Sequence, residues 1–195
     1  LPVRREFFEA QSKRGGKFTL FLTGGSQGAR ALNRASRESW PLFRETQSPI
    51  RILHQSGVAE HEALVREFAN FGMEGEVMPF IRDMAETFQS ADLVVSRSGA
   101  GTVSEIAASA SASILVPLPF AADDHQRRNA EQLVEAAAAR MVLDSEMNGR
   151  RLFQEVESLR AHPEILAAMR ERVRLFARPG AAERAAAVLE EAARQ

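Results

Sequence analysis

Val94-Val95-Ser96-Arg97-Ser98-Gly99-Ala100-Gly101-Thr102-Val103-Ser104-Glu105-Ile106 carries the pattern on which the fold turns. An apolar run ends in a turn of small residues, and a helical pattern follows with an acid in its first turn. A strand feeding a helix through such a turn is the building unit of an open α/β sheet. Backbone N–H groups at the helix start attract phosphate. Small residues let a ligand approach the main chain, and Glu105 offers acceptors to sugar hydroxyls. Together these parts suit a sugar nucleotide. A second reading accounts for Glu105 without a ligand: Thr102-Val103-Ser104-Glu105 is a capping box, with Thr102 at the N-cap. It leaves the open backbone of Gly99, Ala100 and Gly101 unexplained.

The same unit recurs along the chain. β-rich runs at 17–23, 50–55, 76–79, 92–96, 113–117 and 140–143 predict six strands. Several are apolar on both faces, as strands buried in a parallel sheet must be. Helical patterns at 29–39, 58–68, 84–89, 102–108 and 124–137 separate them. The alternation predicts a doubly wound, six-stranded parallel sheet of Rossmann-like α/β class. After residue 143 only helices are expected, at 150–161, 163–177 and 181–194, with Pro163 an early helical residue. The last of these is Ala-rich and is expected to pack on its own domain or to cross to a partner domain. The predicted organisation is a lead-in over 1–16, an α/β core over 17–143 and C-terminal helices over 150–195.

Composition narrows the function. The chain has 195 residues, enough for one large core, and 45% are hydrophobic, as in ordinary globular proteins. A net charge of −1 supplies no bulk field for nucleic acid or an anionic membrane. The absence of cysteine excludes disulfides and thiolate chemistry. No apolar run is long enough to span a bilayer, and no signal peptide is visible. The opening Leu1-Pro2-Val3-Arg4-Arg5 reads as the interior of a longer chain, a processed or excised domain. Arg170, Arg172, Arg174 and Arg178 form a basic cluster, read as a solvated helix face.

Two further turns follow strand ends. Thr23-Gly24-Gly25-Ser26-Gln27-Gly28-Ala29-Arg30 opens a helix, and the Ser26 hydroxyl can meet an anion. It is not a dinucleotide fingerprint, which from Gly24 would need glycine at 26 and 29 and an acid after the second strand. No Gly-Lys-Ser/Thr follows, so it is not a Walker A loop either. The third turn runs from Pro117 to Asp124, a suitable N-cap. Behind it Gln126, Asn129 and Leu133 share one helix face, and neutral amides suit sugar hydroxyls. Asp123, Asp124 and His125 are consecutive on one turn and rarely converge on a cation, so no metal site is expected. All three turns follow the carboxyl ends of strands, the edge where open α/β sheets bind ligands.

Gly24–Arg30 with Leu32-Asn33, His54-Gln55-Ser56-Gly57, Ser96–Glu105 and Asp124–Ala130 agree in order and spacing with one family. They resemble the MurG family, bacterial transferases that add N-acetylglucosamine to lipid I to give lipid II. The resemblance runs from about Pro2 to Val142 and covers only the C-terminal, donor-binding half of that two-domain, GT-B-type enzyme. It implies that Glu105 holds the ribose of UDP. Ser26 and the backbone of Ala100, Gly101 and Thr102 would hold the diphosphate, with Arg4 adding positive charge. Ile81 would meet uracil through its main chain, beside Met84. His125, Gln126 and Asn129 would read the N-acetylglucosamine hydroxyls. The implied transfer inverts the anomeric carbon without cofactor or metal, and this half supplies no catalytic residue. The implied partners are UDP-N-acetylglucosamine, an N-terminal acceptor domain, and lipid I and the membrane through that domain, but no nucleic acid. The implied location is the cytoplasmic face of the bacterial plasma membrane. Alternative readings are a non-catalytic UDP-N-acetylglucosamine-binding subunit of a two-chain transferase, or a related GT-B UDP-sugar enzyme. Where the family usually carries glycine, this chain has Ala110 and Ala137. If those positions take positive φ, alanine there costs about 1 kcal/mol each.

Overall fold

Six strands form one wholly parallel sheet: β1 (Phe18–Thr23), β2 (Ile50–Gln55), β3 (Glu74–Met78), β4 (Leu93–Ser96), β5 (Ser113–Leu115) and β6 (Arg140–Met141). Their spatial order is β3-β2-β1-β4-β5-β6. The computed structural model describes residues 1–9, 16–46, 50–119 and 124–193. Nine α-helices accompany the strands among these residues: α1 (Glu6–Glu9), α2 (Arg30–Glu45), α3 (His61–Asn70), α4 (Met84–Ser90), α5 (Ala100–Ala108), α6 (His125–Glu135), α7 (Gly149–Arg160), α8 (Pro163–Arg174) and α9 (Ala181–Ala193).

Alternation along each strand feeds two cores. Leu20, Leu22, Ile52, Val95 and Ile114 face one layer, where Leu32, Trp40 and Phe43 of α2, Leu64 and Phe68 of α3, and Leu152 and Val156 of α7 cover them. Phe21, Leu53, Val94 and Leu115 face the other, covered by Phe7, Phe88 of α4, Ile106 of α5 and Leu133 of α6. Apolar burial on both faces is the doubly wound arrangement that the strand sequences predicted. α8 ties the two layers together: Leu166 and Met169 join the first core and Val173 the second. Its Arg170 donates to the Asp92 carbonyl at 2.8 Å.

Several boundaries differ from the sequence reading. α2 runs past Pro41 to Glu45. Trp40 and Phe43 are buried and stack edge-on against Phe68 (5.2 Å) and Phe153 (5.1 Å). Burying two large aromatics outweighs the roughly 3 kcal/mol that an interior proline costs. β3 begins two residues earlier than its apolar run suggests, because Gly75 takes φ +125° against the backbone of Ile52. The lead-in is partly helical: Phe7 of α1 is 2% exposed and meets Phe88 edge-on at 5.7 Å. α5 starts at Ala100 with Gly99 at the N-cap, so Thr102 lies inside the helix and the expected capping box does not form. Asp124 does occupy the N-cap of α6, but in a left-handed conformation with no side-chain capping bond. α9 has no buried residue, and Val188 and Leu189 stay exposed, so it does not pack on this domain as first expected. In the basic cluster, Arg172 and Arg178 donate to the carbonyls of Ala137, Leu175 and Ala177.

Ala110 and Ala137 both have φ +49°. Each follows a helix end, and the next residue donates five positions back (Ser111 to Ile106 and Ala138 to Leu133), which is the Schellman closure that favours glycine. Ala137→Gly is therefore expected to stabilise the fold by about 1 kcal/mol. Ala110→Gly should gain less, because the Ala110 methyl is buried. Urea midpoints at constant m-value measure both; no gain at Ala137 would contradict the strain.

Candidate functional site

β1 and β4 are neighbours, yet the helices that follow them, α2 and α5, cover opposite faces of the sheet. Their start points diverge and open a cleft at the carboxyl edge, the topological switch point of such a sheet. The cleft has a volume of about 540 Å³. Gly25, Gly28 and Ala29 line it from the first turn, Arg97, Gly99 and Thr102 from the second, and Leu118, Pro119 and Gln126 from the third. The three turns singled out in the sequence thus meet at one place. Residues 120–123 of the third, including Asp123, lie outside the described residues.

The floor of the cleft is main chain. A Cβ added at Gly99 or Gly101 would meet nothing within 4 Å, so the first turn of α5 faces open space. The N–H groups of that turn have no partner within the helix. The other glycine turn is braced instead. A Cβ at Gly28 would lie 2.0 Å from the Ser56 carbonyl oxygen, and one at Gly57 would lie 2.3 Å from that of Gln27. The two loops therefore pack backbone to backbone. Ser26, beside this contact, is exposed.

The remaining candidates spread outward from the cleft. Ala100 and Gly101 sit with Thr102 on the first turn of α5. Glu105, about one turn further along, is half-buried. Burial pushes its carboxyl pKa up, and the positive charge of Arg4 opposes that shift. Arg4 itself lies over the Phe7 ring at 5.4 Å. Gln126 accepts from Leu118 N–H at 3.1 Å through Oε1, and Asn129 donates to the Ser98 carbonyl at 3.0 Å. Each amide braces a turn with one end and keeps the other as a hydrogen-bonding group. His125 is exposed at the start of α6. Ile81 and Met84 stand apart. Ile81 lines a separate groove of about 510 Å³ with Met78, Phe80 and Asp83. Its N–H already donates to Gln55 Oε1 at 2.9 Å. Met84 opens α4 and packs on the second core.

Arg97 stands in the opening motif without an expected role. Its guanidinium donates to the carbonyls of Val116 (3.1 Å) and Pro117 (3.2 Å) and pairs with Asp144, tying the second turn to the third. Asn33 and His54 were also quoted without a role. Asn33 donates to the Ser56 carbonyl (2.9 Å) and Glu60 Oε2 (2.6 Å), and its oxygen meets His54 Nε2 at 3.0 Å. Neither spacing nor composition could have paired them.

His54 is fully buried, and desolvation lowers its pKa from 6.5 to about 4. The unfolded chain takes up a proton near pH 6.5, whereas the folded chain does so only near pH 4. Stability is therefore complete above pH 6.5 and is lost as the pH falls through this window. The expected loss between pH 7 and pH 5 is on the order of 2 kcal/mol. Urea titrations at the two values should show it in the parent and not in His54→Leu; equal slopes would contradict it.

A family model described as the glycosyltransferase family 28 C-terminal domain matches residues 19–185. The chain is 55% identical over 195 residues to a UDP-N-acetylglucosamine--N-acetylmuramyl-(pentapeptide) pyrophosphoryl-undecaprenol N-acetylglucosamine transferase of Solibacter usitatus (strain Ellin6076), covering 100% of this chain and 53% of that protein. It is 38% identical over 168 residues to the transferase of the same name from Syntrophus aciditrophicus (strain SB), covering 85% of this chain and 46% of that one. Among solved structures, Acinetobacter baumannii MurG superposes with a TM-score of 0.79 at 33% identity, covering 95% of this chain and 52% of that one. The chain spans about half the length of the curated relatives it matches.

Proposed function

The chain belongs to the glycosyltransferase family 28 C-terminal domain family, and on that premise we propose that residues 1–195 are the donor-binding half of an inverting transferase. The full enzyme would move N-acetylglucosamine from UDP-N-acetylglucosamine to lipid I, giving lipid II for peptidoglycan. The observation that carries this reading is the meeting of three carboxyl-edge turns at the β1/β4 switch point, over the open backbone of α5. A diphosphate seated there would receive the N–H groups of Ala100, Gly101 and Thr102 and the hydroxyl of Ser26. The ribose would lie along α5, where its two hydroxyls can both donate to Glu105. Uracil would sit toward Ile81 and Met84, met by the Ile81 carbonyl. Gln126 and Asn129, with His125 beside them, would read the sugar from the start of α6.

As the glycosidic bond breaks, negative charge gathers on the departing UDP. The helix start of α5 and the Arg4 guanidinium would stabilise that charge without moving, which favours the transition state over the bound donor. The attacking hydroxyl and the base that takes its proton would come from the acceptor half. That half would also supply the main membrane contact on the cytoplasmic face of the plasma membrane. No helix among the described residues is long and apolar enough to cross a membrane. These 195 residues alone are expected to bind UDP-N-acetylglucosamine and to transfer no sugar. Incubation with lipid I and labelled donor tests this; labelled lipid II from the chain alone would contradict it.

A further inference from the structure

His54 is the second-last residue of β2, in register with Leu22 and Val77 and on the face that carries Ile50 and Ile52. An aliphatic side chain would fill that place with no polar atom to satisfy. The imidazole is wholly buried, and its Nδ1 has no hydrogen-bond partner among the described residues. A buried unsatisfied nitrogen is a standing cost that calls for a reason.

The reason lies at its other nitrogen. The Asn33 oxygen can only accept, so His54 Nε2 must carry the hydrogen of their 3.0 Å bond. That bond fixes which way the Asn33 amide points. Its NH₂ is aimed at two acceptors, the Ser56 carbonyl and Glu60 Oε2. The Ser56 carbonyl is the group against which Gly28 packs. A chain of contacts therefore runs from His54 through Asn33 to Ser56 and on to the first glycine turn. That turn carries Ser26 and opens α2 at the wall of the cleft.

We propose that His54 is a positioning residue of the donor cleft: through Asn33 and Ser56 it holds the 24–28 turn in the shape that receives the donor's diphosphate. The proposal rests on the donor-site reading above. It makes His54 matter for the diphosphate and not for the nucleoside, which would bind at Ile81 and Glu105.

The test compares UDP with uridine, by calorimetry or ligand NMR, on three folded chains. His54→Leu fills the space and drops the donor; His54→Gln keeps a donor within reach of Asn33. His54→Met serves if the leucine variant does not fold. The expected result for His54→Leu is unchanged thermal stability at neutral pH, unchanged uridine binding and a roughly tenfold loss for UDP. His54→Gln should recover most of that loss. Wild-type UDP affinity in His54→Leu would overturn the proposal, as would equal losses for UDP and uridine. Hydrogen exchange at the Gly28 amide of the ligand-free chain reads positioning without any ligand. Faster exchange in His54→Leu is expected, and unchanged exchange overturns the proposal. A parent chain that binds no UDP would instead overturn the donor-site reading, while the exchange result still decides the role of His54.

Discussion

Gly28→Ala is expected to lower stability by about 3–4 kcal/mol and to abolish UDP binding. Two effects add. Gly28 has φ +74°, where a Cβ is strained in any surroundings. The new methyl would also lie 2.0 Å from the Ser56 carbonyl oxygen, a backbone atom that cannot rotate away. Either the 24–28 turn or the 56–57 turn must move, and both frame the cleft. Gly25 is the internal control: it has φ +85°, but a Cβ there meets nothing within 4 Å. Gly25→Ala should cost only the conformational part, about 1–2 kcal/mol. Urea unfolding of the two variants separates the effects. Equal costs would contradict the interlock between the loops.

Glu105→Ala is expected to weaken UDP binding by roughly 10- to 100-fold, since hydrogen bonds to a charged group are worth about 1.5–3 kcal/mol. Stability should hold, because α5 begins at Ala100 and Glu105 caps nothing. A capping role would give the opposite pattern, with stability lost and affinity kept. The pH dependence sharpens the distinction. A carboxylate can accept from both ribose hydroxyls, whereas a carboxylic acid must keep its own proton. Burial raises the Glu105 pKa and Arg4 pulls it back. Affinity should thus decline on acidification from a pH above the ordinary carboxylate range. Glu105→Gln should bind more weakly and lack this decline. Calorimetry across the acidic range reads both; parental affinity in Glu105→Ala would remove Glu105 from the site.

What the sequence made legible was whatever local pattern determines. Leu20, Phe21 and Leu22 are apolar on both faces, and that alone implies helices above and below a parallel sheet. Three turns at strand ends implied one binding edge, and the structure brings them to one cleft. The misreadings arose where a distant partner decides. The helix expected over 29–39 continues to Glu45, because Trp40 and Phe43 are held by Phe68 and Phe153, far along the chain. Thr102 reads as an N-cap, but Gly99 takes that place three residues earlier. Arg97 and His54 stood in quoted motifs without a role. Their partners, Asp144 for one and Asn33 for the other, are neighbours only in the folded chain. The alanines at 110 and 137 are the converse case: the expected departure from glycine falls on two left-handed residues.

Calorimetry of this chain with UDP-N-acetylglucosamine, against UDP-glucose and NAD, decides whether the cleft is a donor site. A donor site binds UDP-N-acetylglucosamine in preference to UDP-glucose and gives heat changes indistinguishable from dilution with NAD. A folded chain that binds none of the three, or that prefers NAD, would contradict it.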